Sequence, residues 1–195
     1  MPQLIIQPSG ADSYIDSYVP NNNFGSNVDL YVGPTEVSGN PMIRRAVIKY
    51  DFSSLPNATV ITAAQMLCYV RSGSAARTLW AYRLTRTNWT ELGVTWNKYD
   101  GTNAWTAAGG DYTADDGASI TSPGTGNWAE WNVLAQAQYA LLNTSKILHC
   151  LLKDGTESGI STTYFHSKNY TTDTTLCPKL TLTYRYKNAL WFGNG

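Results

Sequence analysis

Side chains that could bind a sugar are concentrated between residues 89 and 105. Trp89 and Trp96 could stack their indole faces on pyranose rings, and Glu91 and Asn97 could bind hydroxyl groups. Trp105 follows in a stretch rich in glycine and threonine. The same tryptophans could instead anchor this stretch in the core, with Glu91 accepting hydrogen bonds from backbone amides. We favour the core interpretation because large aromatic side chains dominate core burial.

Oxygen-bearing side chains that suit a hard cation lie near the start of the chain. Asp12, Asp16 and Asn23 form a candidate structural Ca²⁺ site, because calcium prefers carboxylate and carbonyl oxygens. A second, looser group consists of the aspartates at positions 111, 115 and 116. Neither group has the EF-hand spacing, so we favour the alternative that these are solvated carboxylates in turns. No other cofactor is expected.

The sequence does not predict a catalytic site. His149 and His166 are its two histidines and the obvious candidates for acid–base chemistry. Neither the Gly-x-Ser-x-Gly turn of serine hydrolases nor the His-Glu-x-x-His motif of metalloproteases occurs. The glutamates that could form a glycosidase pair are scattered, at positions 36, 91, 130 and 157. We therefore predict no catalytic residues and a protein that is not an enzyme.

The composition restricts the class of partner. Charged residues make up 14% of the chain, with 14 Lys plus Arg and 14 Asp plus Glu. A nucleic-acid-binding protein needs a basic face, and no cluster of Lys and Arg occurs. No apolar run is long enough to span a membrane, and the N-terminus lacks the features of a signal peptide. We expect no nucleic-acid or membrane partner, and a virion surface or extracellular location.

The three cysteines do not form a disulfide framework. Cys68 and Cys150 fall on the apolar faces of predicted strands, where a free thiol behaves as a small hydrophobic group. We expect Cys68 to resist thiol reagents. Cys177, beside Pro178 at a strand start, is expected to react more readily.

Two alternating runs between Arg44 and Arg71 would provide the central strands. A break at Pro56 separates them, because proline cannot donate a sheet hydrogen bond. A period of two places alternate residues on one face of a strand. The residues expected to share a face are Ala46, Ile48 and Tyr50 in the first run, and Ala64, Met66, Cys68 and Val70 in the second.

The remaining pattern predicts an all-β, jelly-roll-type antiparallel β-sandwich with a single domain over residues 1–186. Further strands are expected at 4–6, 28–32, 77–86, 146–153, 162–167 and 179–186. One short helix is predicted at 133–142, where apolar residues recur at helical spacing after Asn132, a candidate N-cap. The stretch 100–126 is predicted to be a long loop or a flap.

Several stretches, in their order and spacing, resemble the DNRLRE domains, which are also grouped as carbohydrate-binding module family 96. The stretches are ADSYID, NNNFGSNVDLYVG, RRAVIKYDFSSLPNATVITAAQMLCYV, LWAYRLTRTNWTELGVTWN, CLLK and CPKLTLTY. The resemblance implies a jelly-roll sandwich, often attached to secreted polysaccharide-degrading enzymes or cell-surface proteins, with some members implicated in binding acidic polysaccharides. Short, stand-alone chains of this kind without a signal peptide also look like proteins encoded in phage and environmental viral genomes. Cys177 departs from the family, which commonly has arginine before this Pro-Lys-Leu.

Two functions remain in competition. The first, which the sequence favours, is a non-catalytic structural or attachment protein on a virion surface, contacting protein neighbours and glycans. Its interface would include Leu190, Trp191 and Phe192 in the aromatic tail 187–195, since exposed aromatic segments commonly anchor interfaces. The alternative is a carbohydrate-binding module of a secreted or cell-surface system, with polysaccharide as its partner.

Overall fold

The computed structural model describes residues 1–187. The predicted interface residues Leu190, Trp191 and Phe192 lie outside the described residues. Within the described part of the chain, the strands are β1 Gln3–Ile6, β2 Ala11–Asp16, β3 Asp29–Val37, β4 Asn40–Asp51, β5 Thr59–Ser72, β6 Thr78–Leu84, β7 Tyr112–Thr121, β8 Trp128–Asn132, β9 Ile147–Asp154, β10 Thr163–His166 and β11 Lys179–Tyr186. The helix α1 is Leu134–Leu142, and a 3-10 turn covers Thr174–Leu176.

Strands β4 and β5 are the centres of two different layers. β4 pairs with β2, β3 and β9, and β6 and β7 continue the layer beyond β9. β5 pairs with β8, β10 and β11. All these pairings are antiparallel, and β10 also pairs with β3, so that one curled sheet joins both layers at a corner. The predicted all-β antiparallel sandwich is confirmed.

The core lies between the facing sides of β4 and β5. Ile48 and Tyr50 on β4 belong to the same buried cluster as Met66 and Cys68 on β5, each with 0% exposure. Burying a large apolar side chain stabilises a fold by about 1.5–3 kcal/mol. The alternation therefore identified the inward faces of both strands correctly.

The single helix is where the sequence predicts it. The N-cap residue is Val133 and not, as predicted, Asn132. The Oδ1 atom of Asn132, one residue earlier, accepts a hydrogen bond from the Leu134 amide at 3.2 Å. Gln136, buried on α1, donates from Nε2 to the carbonyls of Ala81 at 2.8 Å and Asp116 at 2.9 Å. These bonds hold α1 against β6 and β7. Among residues 1–187 no helix has the length and apolarity to cross a bilayer.

The predicted loop at 100–126 is wrong in its second half, which forms the edge strand β7. β7 pairs with β6 and turns Ala118 and Ile120 towards the core. Its sequence, YTADDGASIT, is interrupted by Asp115, Asp116 and Gly117, residue types that are depleted in strands. An edge strand in contact with a single neighbour tolerates such a sequence, because its other side faces solvent.

Residues 85–111, here called the covering segment, pack on the outer face of the β4 layer. This segment supplies Trp89, Val94, Tyr99 and Trp105 to a second apolar cluster. The sheet residues of that cluster are Ala11, Ile15, Val47, Leu84 and Leu151. The outer face of the layer is therefore buried in part, and the remainder stays accessible.

The expectation that Cys177 is the more accessible thiol is wrong. Cys177 has 0% exposure, and its Sγ lies 3.4 Å from the carbonyl oxygen of Tyr170. Cys68 and Cys150 are buried as well, and none of the three forms a disulfide. Burial raises the pKa of each of these thiols. The segment that contains Lys168 and Tyr170 contacts the Cys177 sulfur, which the position beside Pro178 did not reveal.

Asp12 is a buried carboxyl group in β2. Its Oδ2 accepts hydrogen bonds from the Ser9 hydroxyl at 2.7 Å and the Lys168 amide at 2.9 Å. Its Oδ1 is buried without a hydrogen-bond partner. Burial raises the pKa of Asp12 to about 6, and the negative charge of Glu91 also raises it. The two hydrogen bonds lower this pKa but do not outweigh burial.

The three thiols should react slowly with a maleimide in the native protein and quickly in denaturant, because thiolate formation is disfavoured in the core. Mass spectrometry of peptides from timed labelling would identify each cysteine. Labelling of Cys177 within minutes without denaturant, while Cys68 stays protected, would contradict the burial of Cys177.

Asp12→Asn should stabilise the fold at neutral pH. The folded-state pKa, about 6, exceeds the ordinary value of 3.8, so Asp12 favours folding most below pH 4 and loses that contribution as the pH rises through 6. Each pKa unit corresponds to about 1.4 kcal/mol, so a shift of this size predicts a gain of about 2–3 kcal/mol in unfolding free energy. Asparagine keeps an oxygen for Ser9 and Lys168.

Urea denaturation at pH 4 and pH 8 measures this effect. From pH 4 to pH 8, the unfolding free energy of the wild type should fall relative to that of Asp12→Asn. The exposed Asp115→Asn is the matched control and should follow the wild type. A variant that is less stable than the wild type at pH 8 would show that the ionised carboxylate is favoured in the fold.

Candidate functional site

Two of the tryptophans considered for sugar binding lie inside the second apolar cluster. Trp89 is 1% exposed and Trp105 is 5% exposed. The Trp89 indole donates to Nδ1 of His149 at 3.1 Å, and that of Trp105 donates to the Thr95 carbonyl at 2.9 Å. Their ring faces are covered by the sheet, as the core interpretation requires.

The other residues considered with them have different neighbours. Glu91 accepts a hydrogen bond from the Asp12 amide at 3.1 Å and thereby ties the covering segment to β2. Asn97 donates to the side chain of Asn21 at 3.0 Å. Trp96 is partly exposed, below the guanidinium of Arg45. Of the predicted sugar-binding residues, Trp96 alone lies beside the surface described below.

The candidate calcium ligands do not converge. Asp12 and Asp16 lie four residues apart on β2, which separates them by about 13 Å at the rise of a strand. Asp16 forms an ion pair with Arg44 at 2.8 Å, and the Asn23 amide donates to the carbonyls of Glu91 and Val94. These residues do not fit a single cation site. In residues 1–187, no group of three or more His, Cys, Asp or Glu side chains is arranged to hold a metal ion.

Both histidines have structural contacts. His149 accepts the hydrogen bond from Trp89, and burial, helped by the charge of Lys49, lowers the pKa of His149 to about 4. His166 is 4% exposed and stacks on Tyr170 at a centroid distance of 3.7 Å. Burial also lowers the pKa of His166, against the effect of Asp29. Both imidazoles are therefore held neutral within packed surroundings.

The accessible half of the outer face carries an aromatic ladder, formed by Trp80 and Tyr82 of β6 and Tyr112 of β7. The centroids of Trp80 and Tyr82 lie 5.2 Å apart with 5° between the planes, and those of Tyr82 and Tyr112 lie 4.9 Å apart with 22°. All three rings are partly exposed. They form a stack that runs along β6 and crosses to β7.

The backbone beneath the ladder leaves room for the rings. A Cβ atom on Gly117 would lie 2.5 Å from Cε1 of Tyr82, and one on Gly155 would lie 3.2 Å from Nε1 of Trp80. Both glycines therefore allow the rings to lie close to the main chain. The ladder is positioned by the strand alternation of β6 and by these two side-chain-free positions.

A partly buried cluster of charges borders the ladder. Glu157 binds Arg45 through two hydrogen bonds of 2.7 and 2.8 Å, and Nζ of Lys153 lies 3.2 Å from Glu157. The Arg45 guanidinium carbon lies 5.0 Å from the Trp96 ring centroid, and Nζ of Lys153 lies 5.5 Å from that of Tyr112. Paired charges of this kind fix long side chains in one conformation.

An open depression of about 560 Å³ begins where the ladder ends. Tyr112 belongs to both, and Asp111 and Arg86 form a loose ion pair of 3.7 Å at its wall. The depression, here called the cleft, is lined by Thr85, Arg86, Thr106, Ala107, Gly110, Asp111 and Tyr112. Its volume is within the range of small-molecule sites, and its lining combines hydroxyl, carboxylate and guanidinium groups with an aromatic ring.

Sequence reasoning did not select the ladder as a site, although a signal was present. Trp80 and Tyr82 alternate with Leu79 and Ala81, which are buried. The pattern therefore placed two large aromatic rings on the face opposite the core. Whether that face is accessible depends on where the covering segment packs, which the local pattern does not show.

This combination of aromatic rings and fixed polar groups suits a ligand with apolar ring faces and many hydroxyl groups. The family model of carbohydrate-binding module family 96 matches residues 6–184. A comparison with curated proteins gives no significant match. Because the family model covers nearly the entire described fold, the chain belongs to carbohydrate-binding module family 96.

Proposed function

We propose that the protein binds a polysaccharide, without catalysing a reaction, through the aromatic ladder and the adjoining cleft. The observation that supports this assignment is that three partly exposed aromatic rings lead directly into an open depression on the outer face of the sheet. Membership of a carbohydrate-binding family supports the ligand class. The predicted role of Trp89 and Trp105 as ring platforms is not part of the proposal.

The ladder would supply apolar contact with the C–H faces of sugar rings, and the surrounding side chains would supply hydrogen bonds. Arg45, Lys153 and Glu157 are already held by each other, so binding a sugar requires little further ordering of these side chains. Threonine hydroxyls in the cleft add donors and acceptors. A prearranged surface of this kind favours a repeating ligand over a single sugar.

The carboxyl groups at this surface do not suit glycoside hydrolysis. A general acid for that reaction needs a raised pKa. Burial would raise the pKa of Glu157, but the hydrogen bonds and charges of Arg45 and Lys153 outweigh it and lower the pKa. Burial would also raise the pKa of Asp111, but backbone hydrogen bonds from Thr106 and Ala107 outweigh this effect and lower the pKa. Two carboxylates that remain ionised favour a binding role.

The described structure changes the preference between the two predicted functions. Family membership favours glycan binding, and an extracellular location follows as part of the proposal. The interface predicted for virion display, residues 190–192, lies outside the described residues. Contact with protein neighbours in a larger assembly therefore stays a prediction from the sequence, and no feature of residues 1–187 argues for it.

Tyr82→Ala should weaken polysaccharide binding at least about tenfold, which corresponds to 1.4 kcal/mol, because Tyr82 is the central ring of the ladder. Native gels containing xylan, laminarin, hydroxyethylcellulose or alginate would first identify a polymer that retards the wild type. Tyr186→Ala removes a 52% exposed ring elsewhere and is the matched control. Equal retardation of wild type and Tyr82→Ala would contradict the proposed surface.

Gly117→Ala tests the positioning of the ladder. The added Cβ would lie 2.5 Å from the Tyr82 ring, so the ring must move, and the polymer affinity should fall while the fold remains. Gly10→Ala is the control, because its Cβ would make an ordinary contact of 3.5 Å with the Lys49 carbonyl. If Gly117→Ala binds as well as Gly10→Ala, the orientation of Tyr82 does not matter for binding.

A further inference from the structure

A second group of aromatic and arginine side chains lies on the other side of β4. Tyr31 of β3 and Tyr164 of β10 are cross-strand partners, with ring centroids 4.7 Å apart and 67° between the planes. The guanidinium carbon of Arg44 lies 4.9 Å from the Tyr31 centroid, and that of Arg71 lies 5.5 Å from the Tyr164 centroid. These four residues are here called the second aromatic surface.

The arginines of this surface are fixed in the same manner as Arg45. Nε of Arg44 lies 2.8 Å from Asp16, and Nε of Arg71 lies 2.9 Å from Asp29. Each guanidinium therefore covers a tyrosine ring while an aspartate holds it in place. Arg45 has the same arrangement on the ladder side, with Glu157 as the carboxylate and Trp96 as the ring.

Arg44 and Arg45 are consecutive residues of β4, so their side chains project to opposite faces of the strand. The same chemical arrangement thus occurs on both sides of one strand. Core packing explains only part of the second occurrence. Tyr31 stacks on the buried Tyr14 with centroids 4.5 Å apart and so packs against the core, which explains its own position. Tyr164 does not belong to the core cluster and remains partly exposed beside Arg71.

We propose that the second aromatic surface is a second glycan-binding site, so that one chain binds two polysaccharide segments and can cross-link them. This inference rests on the proposed function. The surface carries no net charge, because Arg44 and Arg71 are each paired with an aspartate. It therefore has no electrostatic means of selecting a charged protein partner, whereas aromatic rings bordered by fixed hydrogen-bond donors suit sugars.

Titration calorimetry with a hexasaccharide of the retarding polymer tests the proposal. The wild type should bind two molecules, and Tyr164→Ala and Tyr82→Ala should each bind one. The double variant should bind none, and Tyr186→Ala should bind two. The wild type should also make solutions of the long polymer turbid, and either single variant should abolish this turbidity, because cross-linking needs both sites.

The outcomes separate the two proposals. One molecule bound by the wild type and none by Tyr82→Ala, or two bound by Tyr164→Ala, overturns the second site and leaves the ladder site standing. Failure of all the polymers to retard the wild type overturns the proposed function and the second site with it. If Tyr164→Ala does not fold, Arg71→Gln alters a 45% exposed side chain instead. It should weaken one of the two binding events about fivefold, and unchanged affinities for both would overturn the second site.

Discussion

The apolar contact between the covering segment and the outer face of the sheet determines where ligands can bind. Val47 and Leu151 point away from the main core, and Trp89 and Trp105 bury them in a second cluster. Each large side chain buried there contributes about 1.5–3 kcal/mol, and hydrogen bonds such as that from the Asp12 amide to Glu91 also tie the segment to the sheet. Because this segment ends at β7, it covers only part of the sheet and leaves the rings at Trp80 and Tyr82 accessible. The position of the binding surface is therefore a consequence of packing.

The charged groups beside the ladder contribute to geometry more than to stability. Arg45, Lys153 and Glu157 are partly buried, and a cluster in such a position gains little net free energy because its charges lose hydration. Their mutual contacts nevertheless restrict three flexible side chains at the edge of the aromatic rings. This restriction reduces the entropic cost of binding a sugar. The arrangement of Arg44 with Asp16 and Tyr31 follows the same principle on the opposite side of β4.

Patterns of alternation predicted much of the fold, because burial on one face leaves a direct signature in a strand. The inward residues of β4 and β5 follow from alternation, and the helix follows from its own 3.6-residue period. The core position of Trp89 follows from the tendency of large aromatic side chains to be buried. β7 was missed because an edge strand needs little alternation of apolar and polar residues. Its Gly117 leaves room for the Tyr82 ring. The candidate calcium site could not be judged from the sequence alone. Asp12 and Asp16 are seen to be far apart only when both are placed on the extended strand β2. The ladder was missed because its exposure depends on a segment that packs from elsewhere in the chain.

The central claim is that polysaccharide binds on the half of the outer face that the covering segment leaves open. The most direct test follows the tryptophan indole N–H signals in ¹H–¹⁵N spectra during titration with a hexasaccharide. The signal of Trp80 should shift and saturate. The signals of Trp89 and Trp105, whose indoles are bonded to His149 and Thr95 inside the second cluster, should stay unchanged. A ligand that binds and shifts Trp89 or Trp105 while the Trp80 signal does not move would contradict this account.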